Sequence, residues 1–190
     1  MTHNPHYFIA VPINPMIKQS IAVKQNDLKD SKLMFKQWTH AEDFHITLKF
    51  LGPIPAEKLS KLIFWLSRID TLSAFELIID GIGTFGNPNR PRVLWIGVQE
   101  NNTLSKLYKE VELVCKNIGF STENRPYRPH ITLAKRWKGD TLETDYIKQL
   151  HKKNNEIHRI IVDQFVLYRI HPSTAPKYEV IERFQLNNHK

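Results

Sequence analysis

The chain has 190 residues, 41% of them hydrophobic and 24% charged, which suits one packed domain with a sizeable core. Lys and Arg outnumber Asp and Glu by 27 to 19, for a net charge of +8; such a surface favours anionic partners, nucleic acid foremost, although solubility alone also accounts for it. The single cysteine, Cys115, excludes an internal disulfide framework and speaks against a cysteine-based zinc site, no apolar run reaches the ~18 residues of a membrane span, and the N-terminal MTHNPHYFIAVPINP lacks the basic and apolar stretches of a secretory leader, so a reducing cytoplasm is the expected setting.

Residues 6–12 read as a strand, with Tyr7, Ile9 and Val11 on one face. Asn14 followed by Pro15 is a helix start, a capping side chain and then a proline at the first turn, and Ile17, Ile21 and Leu28 carry the helix to about Lys29. Short strands are expected at 33–38 and 44–51, the second closed by Gly52 and Pro53. Pro55 opens a helix whose apolar stripe is Leu59, Leu62, Ile63, Leu66 and Ile69. Residues 74–80 and 92–98 read as strands separated by a Gly/Pro/Asn-rich loop over 81–91. A helix is expected over 103–118, stopped by Gly119 and facing Leu104, Leu107, Val111, Val114 and Ile118 inward. Residues 130–135 form a strand, 141–152 a helix, and 159–170 and 177–186 two strands joined by a loop with Pro172 and Pro176. Helices and strands are interspersed, yet several connections are too short for parallel crossovers, so the expectation is an α+β fold with largely antiparallel sheets.

One tetrapeptide occurs twice. His45-Ile46-Thr47-Leu48 returns as His130-Ile131-Thr132-Leu133, 85 residues on, and each copy lies on an expected strand. Residues i and i+2 of a strand share a face, so His45 and Thr47 point one way, as do His130 and Thr132. Two halves packed about a pseudo-twofold axis would bring two imidazoles and two hydroxyls to one cleft. That set suits phosphodiester chemistry. One imidazole takes a proton from an attacking water, the other gives one to a departing ribose oxygen, and both states are reachable near neutral pH. The threonine hydroxyls would hydrogen-bond the non-bridging phosphate oxygens. Two histidines also suit a core pair or a zinc pair, but zinc takes three or four ligands and no third His or Cys has matching spacing, so no metal is expected.

Around the repeats the chain reads Asp43-Phe44-His45-Ile46-Thr47-Leu48-Lys49-Phe50-Leu51-Gly52 and Arg125-Pro126-Tyr127-Arg128-Pro129-His130-Ile131-Thr132-Leu133-Ala134-Lys135. With 7–12, 92–98, 165–168 and 178–180, these stretches resemble the two-histidine (2H) phosphoesterase superfamily, most closely its LigT/ThpR-like RNA 2′,3′-cyclic phosphodiesterases, over nearly the whole chain. The resemblance implies one bilobal domain over 1–190, with two intertwined lobes, pseudo-twofold symmetry, two largely antiparallel sheets around a central cleft and helices outside. It implies hydrolysis of an RNA-terminal 2′,3′-cyclic phosphate to a 2′-phosphate, with His45 the proton donor to the 3′-oxygen, His130 the base that activates water, and Thr47 and Thr132 on the phosphate. No cofactor is implied. RNA ends are the expected partner, a monomer the expected state.

The family often has Arg where this chain has Lys135, and Arg136 follows; strand alternation is taken to favour Lys135 as the phosphate contact. Arg169 and Thr174-Ala175-Pro176 also depart from the family pattern, which bears on substrate preference. Tyr127 is a candidate to stack on a base or to pack before the turn at Pro129. Phe8 is expected in the core, with a place in the cleft as the alternative, and Arg125 and Arg128 on the surface or steering phosphates. Cys115 is expected as buried filler, the tryptophans as packing, and the Lys-rich run 148–153 as a solvated face. The other histidines, His3, His6, His40, His151, His158, His171 and His189, have no comparable pattern. The competing readings are a phosphodiesterase for a 2′–5′ oligonucleotide or a small cyclic nucleotide, and a nucleotide- or RNA-binding module without turnover.

Overall fold

The computed structural model describes residues 4–31, 33–69, 72–143, 145–153 and 156–187. Its strands are β1 (His6–Pro12), β2 (Phe35–Trp38), β3 (His45–Pro53), β4 (Phe75–Asn87), β5 (Arg90–Val98), β6 (His130–Trp137), β7 (His158–Val162), β8 (Gln164–Ile170) and β9 (Tyr178–Gln185). The helices are α1 (Pro15–Lys29), α2 (Ala56–Leu66), α3 (Asn102–Asn117) and α4 (Tyr146–Lys153), with a 3₁₀ turn at Ala41–Asp43. His3 and His189 lie outside the described residues.

The strands form one nine-stranded sheet in the order β7-β4-β5-β6-β3-β1-β8-β9, with β2 added beside β6. Every ladder between them is antiparallel. The two expected sheets are the two halves of this one, four strands on the β3 side of the β3–β6 seam and, with β2, five on the β6 side. That seam is thin: β3 and β6 share the single register pair Ile46–Ile131. On either side the order of elements repeats, β1-α1-β3-α2 and then β5-α3-β6-α4, as a pseudo-twofold relation requires. The chain also crosses between halves, since β4 follows α2 into the second half and β8 follows β7 back to the first.

Local chemistry accounts for the helix ends. Asn14 Oδ1 accepts the amide of Ile17 at 2.9 Å, and Asn101 Oδ1 that of Leu104 at 2.9 Å, each satisfying an orphan donor of a first turn. Gly119, at φ 84°, lets the chain turn back so that Phe120 N–H reaches Cys115 O at 2.9 Å. Leu104, Leu107, Val111 and Cys115 of α3, with Ile21 and Leu28 of α1 and Leu62 and Leu66 of α2, are buried in one apolar core that includes Ile46 and Ile131. That core lies on the helix-covered face of the sheet. A second, smaller cluster of Phe8, Ala10, Val166 and Tyr168 lies on the opposite face of β1 and β8.

Three expectations change. Residues 81–91 are no loop: β4 runs through to Asn87 and turns tightly into β5. Gly81, at φ 77°, marks a bulge rather than a break, and His151 Nδ1 of α4 accepts Ile82 N–H at 3.2 Å beside it. The single strand expected over 159–170 is two, because its halves pair with different partners, β7 with β4 and β8 with β1. The last helix starts at Tyr146, later than expected; Thr144 lies outside the described residues.

Leu107 is fully buried on α3, away from the seam. Leu107→Ala is expected to lower unfolding stability by about 2–5 kcal/mol, read as a fall in the urea midpoint at unchanged m-value.

Candidate active site

The repeated tetrapeptides begin β3 and β6 and bend in the same way. In the β1–β3 ladder Ala10 pairs with Thr47 and Ile9 with Lys49, skipping Leu48. In the β5–β6 ladder Trp95 pairs with Thr132 and Leu94 with Ala134, skipping Leu133. The two bulges occupy equivalent places in the two copies. Each turns two successive residues, Leu48–Lys49 and Leu133–Ala134, into the core, and alternation restarts one residue later. Counted strictly from His130, alternation would put Arg136 on the cleft face and Lys135 in the core, so alternation alone does not favour Lys135. The bulge restores the preference. Lys135 is exposed and lies close enough to both His45 and His130 for its charge to act on each. Its counterpart in the first copy is Phe50, also exposed.

One residue outward from Ile46–Ile131, the antiparallel register sets His45 toward Thr132 and Thr47 toward His130. Both rings are held alike. His45 Nδ1 donates to Asp43 O at 2.7 Å, and His130 Nδ1 to Arg128 O at 2.7 Å, in each case the carbonyl two residues back. A carbonyl only accepts, so each neutral ring carries its proton on Nδ1 and presents Nε2 as the free base. His45 Nε2 lies 3.0 Å from Thr47 Oγ1.

Aromatic walls enclose both rings. Phe8 is 4.7 Å from His45, Tyr178 is edge-on at 5.3 Å and Tyr168 stands at 6.1 Å. His130 meets Phe85 edge-on at 4.8 Å and Trp95 at 6.3 Å. Phe8 thus belongs to the cleft wall and not to the main core. Trp95 lies flat against the backbone of Gly83, where a Cβ would come within 2.1 Å of its ring, so glycine there gives the indole its seat. Burial is the main cause that lowers the pKa of His45, to about 4; the Asp43 carbonyl opposes it, and the charges of Lys135, His130 and Lys18 add to it. His130 is lowered by burial first, against the Arg128 carbonyl and with help from Lys135. Lys135 is exposed as a residue, but partial desolvation of its ammonium, and then the charge of Lys177, lower its pKa.

Several supports went unread in the sequence. The buried Asp43 carboxylate accepts Lys177 N–H with both oxygens at 3.0 Å and Tyr178 N–H at 3.2 Å, tying the segment before β9 to the turn that holds His45. Buried Gln25 of α1 donates to Leu133 O at 3.0 Å and Thr39 O at 2.9 Å, clasping the second bulge. Buried Lys49 pairs with Glu112 at 2.6 Å and donates to Ser121 O at 2.9 Å, anchoring the segment that leads to His130. Tyr127 stacks on Tyr108 at 4.1 Å and donates its hydroxyl to Thr47 O at 3.2 Å, which occupies one ring face and steadies the first tetrapeptide. A cavity of about 560 Å³ opens beside Thr47 and His130, lined also by Tyr127, Arg92, Arg125 and Arg128. Asp43, Lys49 and Tyr127 stand inside the stretches quoted above; Gln25 carried only the weak signal of a polar residue on an apolar helix face. Among the described residues no group of three or more His, Cys, Asp or Glu is placed to hold a metal ion, and no helix is long and apolar enough to cross a membrane.

A sheet built by internal repetition, with one half-buried, carbonyl-held histidine from each half facing a cation-bearing cleft, fits a two-histidine phosphoester-processing class of protein. The LigT-like phosphoesterase family model matches residues 11–95 and again 96–178, one match per tetrapeptide, and the chain belongs to that family. A Bacillus subtilis (strain 168) relative named RNA 2′,3′-cyclic phosphodiesterase is 36% identical over 186 residues, 96% of this chain and 97% of that one. A Geobacillus stearothermophilus relative of the same name is 39% identical over 183 residues; the match takes in 95% of this chain and spans 57% of that relative's length. The crystal structure of E. coli LigT complexed with 3′-AMP shares the fold, with a TM-score of 0.80 at 24% identity over 97% of this chain and 99% of that one.

Proton titration follows from the ring environments. By ¹⁵N-resolved NMR, His45 is expected to protonate near pH 4 and His130 below the ordinary imidazole value of 6.5. Because the folded state resists this protonation, His45 stabilises the fold above the unfolded-state pKa. That contribution falls away as pH drops from about 6.5 toward 4. His45→Gln should flatten the loss of stability over this window.

Proposed function

We propose that the chain is a metal- and cofactor-independent RNA 2′,3′-cyclic phosphodiesterase that leaves a 2′-phosphate. The observation that carries this reading is the pair of Nε2 atoms offered to one cleft by equivalent strands, each backed by an Nδ1–H bond to a carbonyl. The names of the relatives support the substrate class.

In this scheme the cyclic phosphate sits between the two tetrapeptides, its non-bridging oxygens on the Thr47 and Thr132 hydroxyls and the Lys135 ammonium. His130 Nε2 takes a proton from water as its oxygen attacks phosphorus. His45, protonated on Nε2, gives that proton to the departing 3′-oxygen, and the P–O3′ bond breaks. The family pattern assigns the two roles, and the burial of His45 agrees, since an imidazolium of low pKa is the stronger donor. The free cleft keeps both rings neutral. An arriving phosphate anion reverses the sign of the local field and favours protonation of one ring, so substrate and proton enter together. Tyr127 is proposed to act at the substrate's edge through the Thr47 backbone it braces. The protein is taken to work as one domain, which the shared core and the contribution of both halves to one cleft support, and as a cytoplasmic monomer.

Purified protein in excess EDTA should hydrolyse 2′,3′-cyclic nucleotides and RNA ends to 2′-phosphates. His45→Ala and His130→Ala should each lower kcat by about 10²–10⁴-fold with unchanged circular dichroism. Near-normal turnover by either variant overturns the assignment. The pH profile supplies a second check. With both free-enzyme groups lowered, kcat/KM should be bell-shaped with its maximum on the acid side of 6.5, and kcat, which reports the anion-bound complex, should peak at higher pH.

A further inference from the structure

Two further depressions lie near the cavity beside His130. One, of about 680 Å³, runs over the β4–β5 hairpin and the end of β6, lined by Arg90, Arg92, Lys135 and Arg136 together with Gln37 and Trp137. The other, of about 490 Å³, holds Lys29, Trp38, Lys135 and Lys177. They meet at shared side chains. Arg92 belongs both to the first and to the cavity beside His130, and Lys135 belongs to both depressions. The hairpin depression has four cationic side chains and no acid in its wall. Among the described residues none of the four is in an ion pair, whereas Lys18, Lys49, Lys61, Lys148 and Arg159 are paired elsewhere.

The backbone also sets these charges in place. Gly86, at φ 97°, lets the Arg92 side chain lie across it; a Cβ there would stand 3.2 Å from Arg92 Cγ and 3.3 Å from Nε. Arg136 occupies the left-handed region, at φ 63°, which a bulky L-residue seldom adopts. It is the residue at which β6, having turned Lys135 into the cleft, leaves the histidine line.

We propose that this groove holds the phosphates of the nucleotides upstream of the cyclic end, so that the natural substrate is a single-stranded oligonucleotide rather than a mononucleotide. The inference rests on the phosphodiesterase reading and adds length selection to it. The chemistry is that of an electrostatic track. Unpaired guanidinium groups bind phosphate oxygens without reading bases, and Trp137 borders the same path as a surface for stacking. One phosphate, at Lys135, would be the reacting one; those held by Arg90 and Arg136 would be spectators that lower KM.

The test compares cytidine 2′,3′-cyclic phosphate with an eight-nucleotide single-stranded RNA ending in the same group. Wild-type protein in low salt is expected to favour the oligonucleotide roughly tenfold or more in kcat/KM, and the advantage should shrink as salt rises. Arg90→Gln with Arg136→Gln should abolish most of that advantage through KM, leave the mononucleotide rate within twofold, and reduce the log–log salt slope by about 1.4, at ~0.7 per single-strand phosphate contact. Lys29→Gln is the comparator, at the far end of the other depression, and should change the length preference little. No length preference, equal losses on both substrates, or a preference that follows Lys29 instead overturns the groove. The two readings fail separately. A protein inactive on both substrates sinks the phosphodiesterase. Fluorescence anisotropy with the eight-nucleotide RNA ending in a 2′-phosphate then still decides the groove, by whether affinity depends on Arg90 and Arg136.

Discussion

The arrangement depends on one modest interaction made twice, an imidazole Nδ1–H donated to the carbonyl two residues earlier. It sets the tautomer, and so decides that Nε2 faces the cleft as a base. It fixes the ring plane at the strand's first residue, where the chain has just left irregular structure and would otherwise leave the side chain free. It also resists the desolvation that would make the ring too reluctant to ionise, since a carbonyl acceptor favours the cation. Each carbonyl is in turn held from outside the strand. Asp43 is pinned by Lys177 and Tyr178 of the last hairpin, and the segment leading to Arg128 is anchored by Lys49. The geometry of each histidine is therefore a property of distant segments of the chain.

The two halves are equivalent in backbone and unequal in chemistry. Both strands bulge one residue past the Thr, and both then aim a side chain into the cleft. In the second copy that side chain is Lys135; in the first it is Phe50. Where the second strand buries Ala134, the first buries Lys49, whose ammonium is neutralised by Glu112 and bonded to Ser121 O. Both lysines carry the charge of a phosphate ligand, but the bulge makes one a cleft residue and the other a structural tie. A duplicated frame that carries Lys135 in one copy and Phe50 in the other gives the cleft a direction, which a reaction with distinct donor and acceptor sides would use.

Much of this was legible in the sequence, and the illegible parts have physical causes. The tetrapeptide repeat declared itself because strand periodicity converts residue spacing directly into a shared face. Asn14-Pro15 and Gly119 declared helix ends because their backbone chemistry is local. The bulges left no such trace. Leu48 and Leu133 are ordinary strand residues, and an inserted residue becomes visible only against the partner strand, so alternation counted in isolation assigned Lys135 on a false ground. The hairpin at Asn87–Arg90 was hidden because Gly81 and Gly86 read as turn formers when they serve as bulges within long strands. The break between β7 and β8 was hidden because both halves are apolar and differ only in which strand they join. Asp43 and Gln25 act through backbone atoms remote in sequence, and no local pattern announces such partners.

The electrostatics of the cleft join these observations. Desolvation, reinforced by the nearby charge of Lys135, makes the two imidazoles poor bases and poor hosts for a proton. In isolation that is a cost to catalysis. It ceases to be one when the ligand is a phosphate, whose negative charge offsets Lys135 and favours the imidazolium that the empty cleft disfavours. On the proposed scheme, the cations that would bind the anion and the histidines that would act on it are coupled through one field. A neutral ligand of the same shape would gain no such proton, so the discrimination against it arises in the protonation state as well as in the contacts. Aromatic walls sharpen the effect, because excluding water around Phe8, Tyr178, Phe85 and Trp95 lets charges act at short range with little screening. On this view the apolar lining of the cleft and its excess of positive charge are parts of one device, and neither would serve without the other.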